Sequence, residues 1–469
     1  MTTLIRGGTV INTTGAEAAE VLIDGESIVA VLQPGSDIAL AAADGARIID
    51  ASGKLVVPGG VDVHTHMQLP TAGTTSSDTF ETGTTAAAWG GTTTIVDFVT
   101  QQQGEQVGDC VEARFTEADG NCAIDYGFHM ILGGVDDAAL AAMDGLVDDG
   151  ISSFKLFMAY PGVLYSDDGQ ILRAMQQAAG NGGLVMMHAE NGIAIDVLAS
   201  QAAERGELDP VTHGYVRRPE FESEATHRAI QLAKVGAAPL YIVHMSAKEA
   251  LEQVTIARDQ GMNVFAETCP QYLYLSLEDH LDQPGFEGAK YVCSTPLRPK
   301  HEHHQSELWR GLRTNDLAVV ATDHCPFCFK DQKDQGRGDF RKIPNGIGGV
   351  EHRMDLIFQG VRQGEISLPR WVELCSTTPA RMMGLHPRKG VIQPGADADI
   401  VIYDPDRTWT ITDTNHHMNQ DHDAFAGIEL TGHVDTVLSR GRVLVENDRW
   451  HGSTGHGRYL RRSLSDYLI

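Results

Sequence analysis

No run of apolar residues in this sequence is long enough to cross a bilayer. The opening Met1-Thr2-Thr3-Leu4-Ile5-Arg6-Gly7-Gly8 lacks the apolar core of a secretory leader. Cysteine is scarce, with seven scattered through 469 residues, an odd count that does not read as a disulfide framework. A reducing cytoplasm is therefore the expected setting. Cys325-Pro326-Phe327-Cys328 has redox-like spacing, but no redox-type strand and helix surround it. Buried thiols are the expectation there. Positive charge is also short: 36 Lys and Arg against 63 Asp and Glu leave a net charge of -27. Such a chain repels polyanions, which argues against a general nucleic-acid binder or a binder of anionic membranes.

What is present is ordinary for a soluble globular protein, with 42% apolar and 21% charged residues, and the chain is long enough for a large core. Residues 1–57 carry short β-rich runs punctuated by Gly and Asp, such as Val21-Leu22-Ile23-Asp24-Gly25. Similar runs recur near the far end, in 398–403 and 436–445. Both ends are expected to build one small β-sandwich, because chain ends often lie together. The division expected is 1–57 and 386–445 for the sandwich, 58–385 for a large insert and 446–469 for a tail.

The insert alternates strand-like and helix-like segments. Strand candidates cover 61–66, 92–98, 126–131, 152–158, 184–188, 240–244, 263–266 and 317–323, with helical stretches such as 170–179, 224–235 and 247–260 between them. This alternation implies parallel strands, and eight repeats predict an α/β fold, a closed (β/α)8 barrel rather than an open sheet. In such a barrel the functional residues come from the C-terminal ends of the strands. His64, His66, Lys155, His188, His244 and Asp323 all fall at or near those ends.

Each has an ordinary structural role available. In Val61-Asp62-Val63-His64-Thr65-His66 the two imidazoles share one strand face, which suits a divalent metal and equally suits a polar sheet face. His188 and His244 end apolar runs, as core histidines do, and Asp323 could cap a turn. Lys155, within Phe154-Lys155-Leu156-Phe157, is the oddest, since a cation in an apolar strand is costly. A paired or snorkelling lysine is one explanation. The other is a metal pair: a carbamate formed on the amine by carbon dioxide offers two anionic oxygens that can bridge two cations, and burial favours the neutral amine that reacts.

Together these motifs resemble the cyclic amidohydrolases, and most closely the dihydropyrimidinases and D-hydantoinases. The resemblance rests on His64-Thr65-His66, Phe154-Lys155-Leu156-Phe157-Met158-Ala159-Tyr160, His188-Ala189-Glu190-Asn191, His244-Met245-Ser246 and Asp323-His324-Cys325-Pro326-Phe327. Ser77 to Thr84 and Gly395 to Val401 extend it, in order, over nearly the whole chain.

The resemblance implies two divalent metal ions, zinc by expectation. His64, His66 and Asp323 would bind one, His188 and His244 the other, and a carboxylated Lys155 would bridge them. It implies Tyr160 as donor to an oxyanion, Asp323 as proton carrier, and the backbone of Ser294 and Asn345 as the hold on a cyclic amide. Leu69, Phe157 and Leu164 match positions that line the pocket for the ring's substituent. A small cyclic ureide or imide is the expected substrate, opened to an N-carbamoyl amino acid, and a homotetramer is the expected assembly. Allantoinase and dihydroorotase are the alternatives within this chemistry. Tyr160, directly after Phe157-Met158-Ala159, favours the hydantoin and dihydropyrimidine group. A single-metal deaminase has no need for Lys155. A non-catalytic relative would have lost ligands that are all present here.

Overall fold

The computed structural model describes residues 2–71 and 73–467. Eight parallel strands run through its centre: β1 (Gly60–Thr65), β2 (Thr92–Gln101), β3 (Asp125–Leu132), β4 (Ser153–Phe157), β5 (Leu184–His188), β6 (Leu240–Ile242), β7 (Val264–Thr268) and β8 (Val319–Val320). Each pairs with the next in chain order, which is the topology of a (β/α)8 barrel. β1, β3, β4 and β5 are buried along their whole length. Helices cover the outer face, so these strands meet apolar neighbours on both sides.

The helices form where local chemistry starts and stops them. Asp168–Asn181 begins at Asp167, whose side chain accepts from the Gln170 amide while the Gln170 side chain accepts from the Asp167 amide. It ends at Gly182, with φ of 76°, a left-handed residue that suits glycine. Between these, Ile171, Ala174, Met175 and Ala178 recur at helical spacing and are buried.

The barrel is nearly closed, and its seam is unusual. β8 is two residues long, shorter than the expected run 317–323. Side chains replace the missing ladder. Thr322 donates its amide and hydroxyl to the Asp62 carboxylate at 3.2 and 2.6 Å. Arg353 Nη1 donates to the carbonyls of Val61 and Val320 at 3.0 and 2.9 Å. Just beyond, the His66 amide donates to the His324 carbonyl at 2.8 Å. The first and last strands are thus sealed by one carboxylate and one guanidinium, right beneath the strand ends that carry His64, His66 and Asp323.

A β-rich unit flanks the barrel. Its seven-stranded sheet takes Thr9–Asn12, Gly15–Ala18 and Leu55–Pro58 from the early chain, and Ile400–Thr410, Glu429–Ser439, Arg442–Glu446 and Arg449–Trp450 from the late chain. Leu55–Pro58 pairs antiparallel with Ile400 to Tyr403, so the two ends meet immediately before β1 begins. A four-stranded sheet of Thr2–Arg6, Glu20–Asp24, Ser27–Leu32 and Arg47–Asp50 packs on it through Ile5, Val21, Ile23, Val56, Ile400 and Ile402. Residues 460–462 run along the end of the barrel away from the histidines. There the Leu460 amide donates to the Tyr126 carbonyl at 2.7 Å, and Arg462 donates to Ser153 Oγ at 2.8 Å. Among the described residues no helix is long and apolar enough to cross a membrane.

Candidate metal centre

The C-terminal ends of the strands open into a cavity of about 640 Å³. His66, Lys155, His188, His244 and Asp323 line it, together with Tyr160, Ser294, Asn345, Leu69, Phe157 and Leu164. His64 lies one layer deeper, fully buried. All twelve residues singled out in the sequence therefore converge on one place.

Their geometry is that of a ligand cluster. Nε2 of His64 and Nε2 of His66 lie 3.1 and 3.2 Å from the same Oδ1 of Asp323. Ligand atoms of these three residues all fall within 4.8 Å of one another. Lys155 Nζ is 2.9 Å from His64 Nε2. The His244 ring sits 5.4 Å from that of His64 and 4.5 Å from that of His188, centroid to centroid. His66 Nδ1 and His244 Nδ1 are buried without a hydrogen-bond partner among the described residues. Orphaned imidazole nitrogens beside a carboxylate and a buried amine fit a pair of divalent cations.

Burial lowers the pKa of two of these groups, His66 and Lys155, whereas the net shift at His64 is upward. Burial pulls the His66 pKa down to about 4, leaving a neutral imidazole, the form that ligates. Lys155 is 1% exposed and sits between Phe98 and Phe157, its Nζ 4.5 and 5.0 Å from the ring centroids. Burial brings its pKa down to about 8, against the opposing pull of Asp323 and Glu267. Asp323 stays ionised because the surrounding imidazoles outweigh its own desolvation.

The backbone turns sharply at the functional ends. Tyr160, His244 and Asp323 have φ of 60°, 40° and 50°, a region disfavoured for residues with a Cβ. Each such residue costs about 1–3 kcal/mol and persists only where its surroundings hold it. At His244 the hold is visible, because its amide donates to Glu267 Oε1 at 3.1 Å.

Three residues at the site had no role assigned from the sequence. Glu267, at the end of β7, is wholly buried against His64 Nδ1 and accepts from the Tyr241 hydroxyl at 2.7 Å. Its strand-end position was readable; its partner, two hundred residues earlier, was not. Glu190 lies 2.7 Å from His188 Nε2 and 2.7 Å from Arg217 Nη1. Arg217 in turn sits 5.5 Å from the Tyr160 ring. Burial raises the Tyr160 pKa, while Arg217, Ser294 and Asn345 pull it the other way. The two cysteines of Cys325-Pro326-Phe327-Cys328 are free thiols, Cys325 buried and Cys328 half-buried, and burial pushes both up in pKa.

A (β/α)8 barrel whose strand ends gather four imidazoles, one aspartate and one buried lysine at and just beneath a common cavity defines a metal-dependent hydrolase. The chain belongs to the amidohydrolase family, whose model matches residues 55–444. It is 60% identical to the D-hydantoinase of Streptomyces coelicolor over 99% of both chains. It is 45% identical to the D-hydantoinase of Geobacillus stearothermophilus over 99% of this chain and 97% of that one. Among solved structures it is similar to the dihydropyrimidinase from Brevibacillus agri NCHU1002, with a TM-score of 0.96, 45% identity and 99% of each chain covered. Within its family it is a cyclic amidohydrolase of the hydantoinase and dihydropyrimidinase group.

Proposed function

We propose that this protein opens the cyclic amide of 5-substituted hydantoins or dihydropyrimidines, giving N-carbamoyl amino acids. His64, His66 and Asp323 would hold one divalent cation and His188 and His244 a second, with zinc as the expected metal. Lys155, carboxylated by carbon dioxide, would bridge the two. When bound, such a cation pair supplies Lewis acidity and brings the pKa of water toward neutrality.

The chain's own residues do the rest. The Ser294 and Asn345 segments hold the ring amide at the cavity wall; Ser294 Oγ is buried there without a hydrogen-bond partner among the described residues. The Tyr160 hydroxyl, kept protonated by burial, donates to the oxygen that becomes negative as water adds to the ring carbonyl. Asp323 accepts a proton from the attacking water and returns it to the ring nitrogen as the carbon–nitrogen bond breaks. Leu69, Phe157 and Leu164 face the ring's substituent, and an apolar wall favours an uncharged group.

The observation that carries this reading is the convergence of five candidate ligands with Tyr160, Ser294 and Asn345 on one cavity, with the sixth, His64, joined to them from just beneath. The test is turnover on a panel of dihydrouracil, substituted hydantoins of both hands, allantoin and dihydroorotate, alongside metal analysis. Hydrolysis of hydantoins or dihydrouracil with two metals per chain is expected. Exclusive turnover of allantoin or dihydroorotate would overturn it. A homotetramer acting in the cytoplasm completes the proposal, and sedimentation checks the assembly.

A further inference from the structure

Lys333 has no exposed surface, and among the described residues no carboxylate pairs with it. Burial brings its pKa down to about 8. A buried cation without a counter-ion is costly, so its contacts matter. Nζ donates to the carbonyls of Val292 and Pro344, each at 3.0 Å. The Phe327 ring lies 5.9 Å away.

Those two carbonyls belong to different loops, neither of which is part of a helix or strand. Val292 stands two residues before Ser294, and Pro344 stands one before Asn345. Without a ladder, something else has to set the spacing of the two segments. The Ser294 loop is pinned on its other side, where the Cys293 carbonyl meets His213 Nε2 at 2.8 Å and the Thr295 carbonyl accepts from the Tyr272 hydroxyl at 2.9 Å. The Asn345 loop is joined to it by the Gly346 amide, which donates to the Val292 carbonyl at 3.0 Å. Lys333 Nζ bonds to the backbone of both loops at once. Its own turn is fixed by its amide, which donates to the Cys328 carbonyl at 3.0 Å.

We infer that Lys333 is a positioning residue for ring recognition: its ammonium braces the loop of Ser294 against the loop of Asn345 and sets the distance between the two groups that grip the cyclic amide. The inference rests on the function proposed above. It predicts a defect in substrate binding, with little effect on the metal centre, because Lys333 itself bonds to no candidate ligand and, among the described residues, the Ser294 loop touches that centre only through Thr295 Oγ1, which donates to the His244 carbonyl at 3.1 Å.

The test compares metal-loaded wild type with Lys333→Met and Lys333→Gln on a 5-substituted hydantoin. The expected result is a KM raised about tenfold or more, a kcat within about threefold of wild type, and unchanged metal content. Gln, which keeps a donor, should recover part of the KM. A wild-type KM in a folded Lys333→Met protein would overturn the inference and leave the functional reading intact. So would loss of metal and kcat together, or the failure of both variants to fold, since each would make Lys333 a residue of the fold alone. Wild type that opens neither hydantoin nor dihydrouracil would overturn the functional reading, and this inference with it.

Discussion

The carboxylate of Glu267 meets His64 Nδ1 in a fully buried contact, while the opposite nitrogen of the same ring faces Asp323 at 3.1 Å and Lys155 at 2.9 Å. One acidic side chain thus fixes the tautomer and tilt of an imidazole whose other edge looks into the ligand cluster. The same Oε1 accepts the His244 amide at 3.1 Å, and Oε2 is held by Tyr241 at 2.7 Å. Glu267 therefore orients a ligand of each proposed cation from a single position at the end of β7.

Replacing Glu267 with Gln keeps the shape and removes the charge. The expected effect is a metal affinity lower by about 10- to 100-fold, the usual loss for a carboxylate behind a ligating histidine. Titration of apo protein with zinc reads it directly, and excess metal should restore part of the turnover. Wild-type affinity in the variant would show that His64 needs no such support.

Lys155→Ala removes the proposed bridge and leaves His64, His66, His188, His244 and Asp323 in place. Without a bridging anion between two cations, like-charge repulsion should expel at least one of them. The expected outcome is a protein with at most one metal per chain and no measurable turnover, read by elemental analysis of the purified variant. Two retained metals with near-normal turnover would remove Lys155 from the centre.

Much of this centre could be read from the sequence because the barrel makes its strands conspicuous. β4 and β5 are buried on both faces, so Phe154-Lys155-Leu156-Phe157 and Leu184-Val185-Met186-Met187-His188 stand out as apolar runs with one polar residue each. Topology then places those polar residues at the functional end. The supports were not readable, for a physical reason. Glu267 and His64, or Lys333 and Val292, are joined by contacts between segments far apart in sequence, and no periodicity marks a loop. The short β8 shows the same limit: Asp62 and Arg353 complete the seam from distant positions that look like ordinary charged residues.

Tyr160→Phe deletes one hydroxyl and keeps the ring beside Arg217 and His188. If the hydroxyl meets the developing oxyanion, kcat should fall about 10²-fold or more, the usual loss for one such donor, with metal content unchanged. Steady-state kinetics on a hydantoin with parallel metal analysis checks both halves. An unchanged kcat would leave Tyr160 as a wall of the cavity.

Lys333 also makes a prediction about stability against pH. Its folded pKa of about 8 lies below the ordinary 10.5 that it regains on unfolding. Between these values the unfolded chain binds the proton more readily, so wild type loses stability as pH falls from 10.5 to 8, by on the order of 3 kcal/mol in total. Below pH 8 both states are protonated and this loss is constant. Lys333→Met has no such group, and every other titrating residue is common to both proteins. The difference in unfolding free energy, wild type minus variant, should therefore fall as the pH is lowered through that window and stay flat beneath it. Denaturant titrations of the two metal-loaded proteins at pH 7, 8, 9 and 10 measure the difference. A value independent of pH would mean that Lys333 keeps its ordinary pKa in the fold, and that its ammonium is stabilised by more than two carbonyls and an aromatic ring.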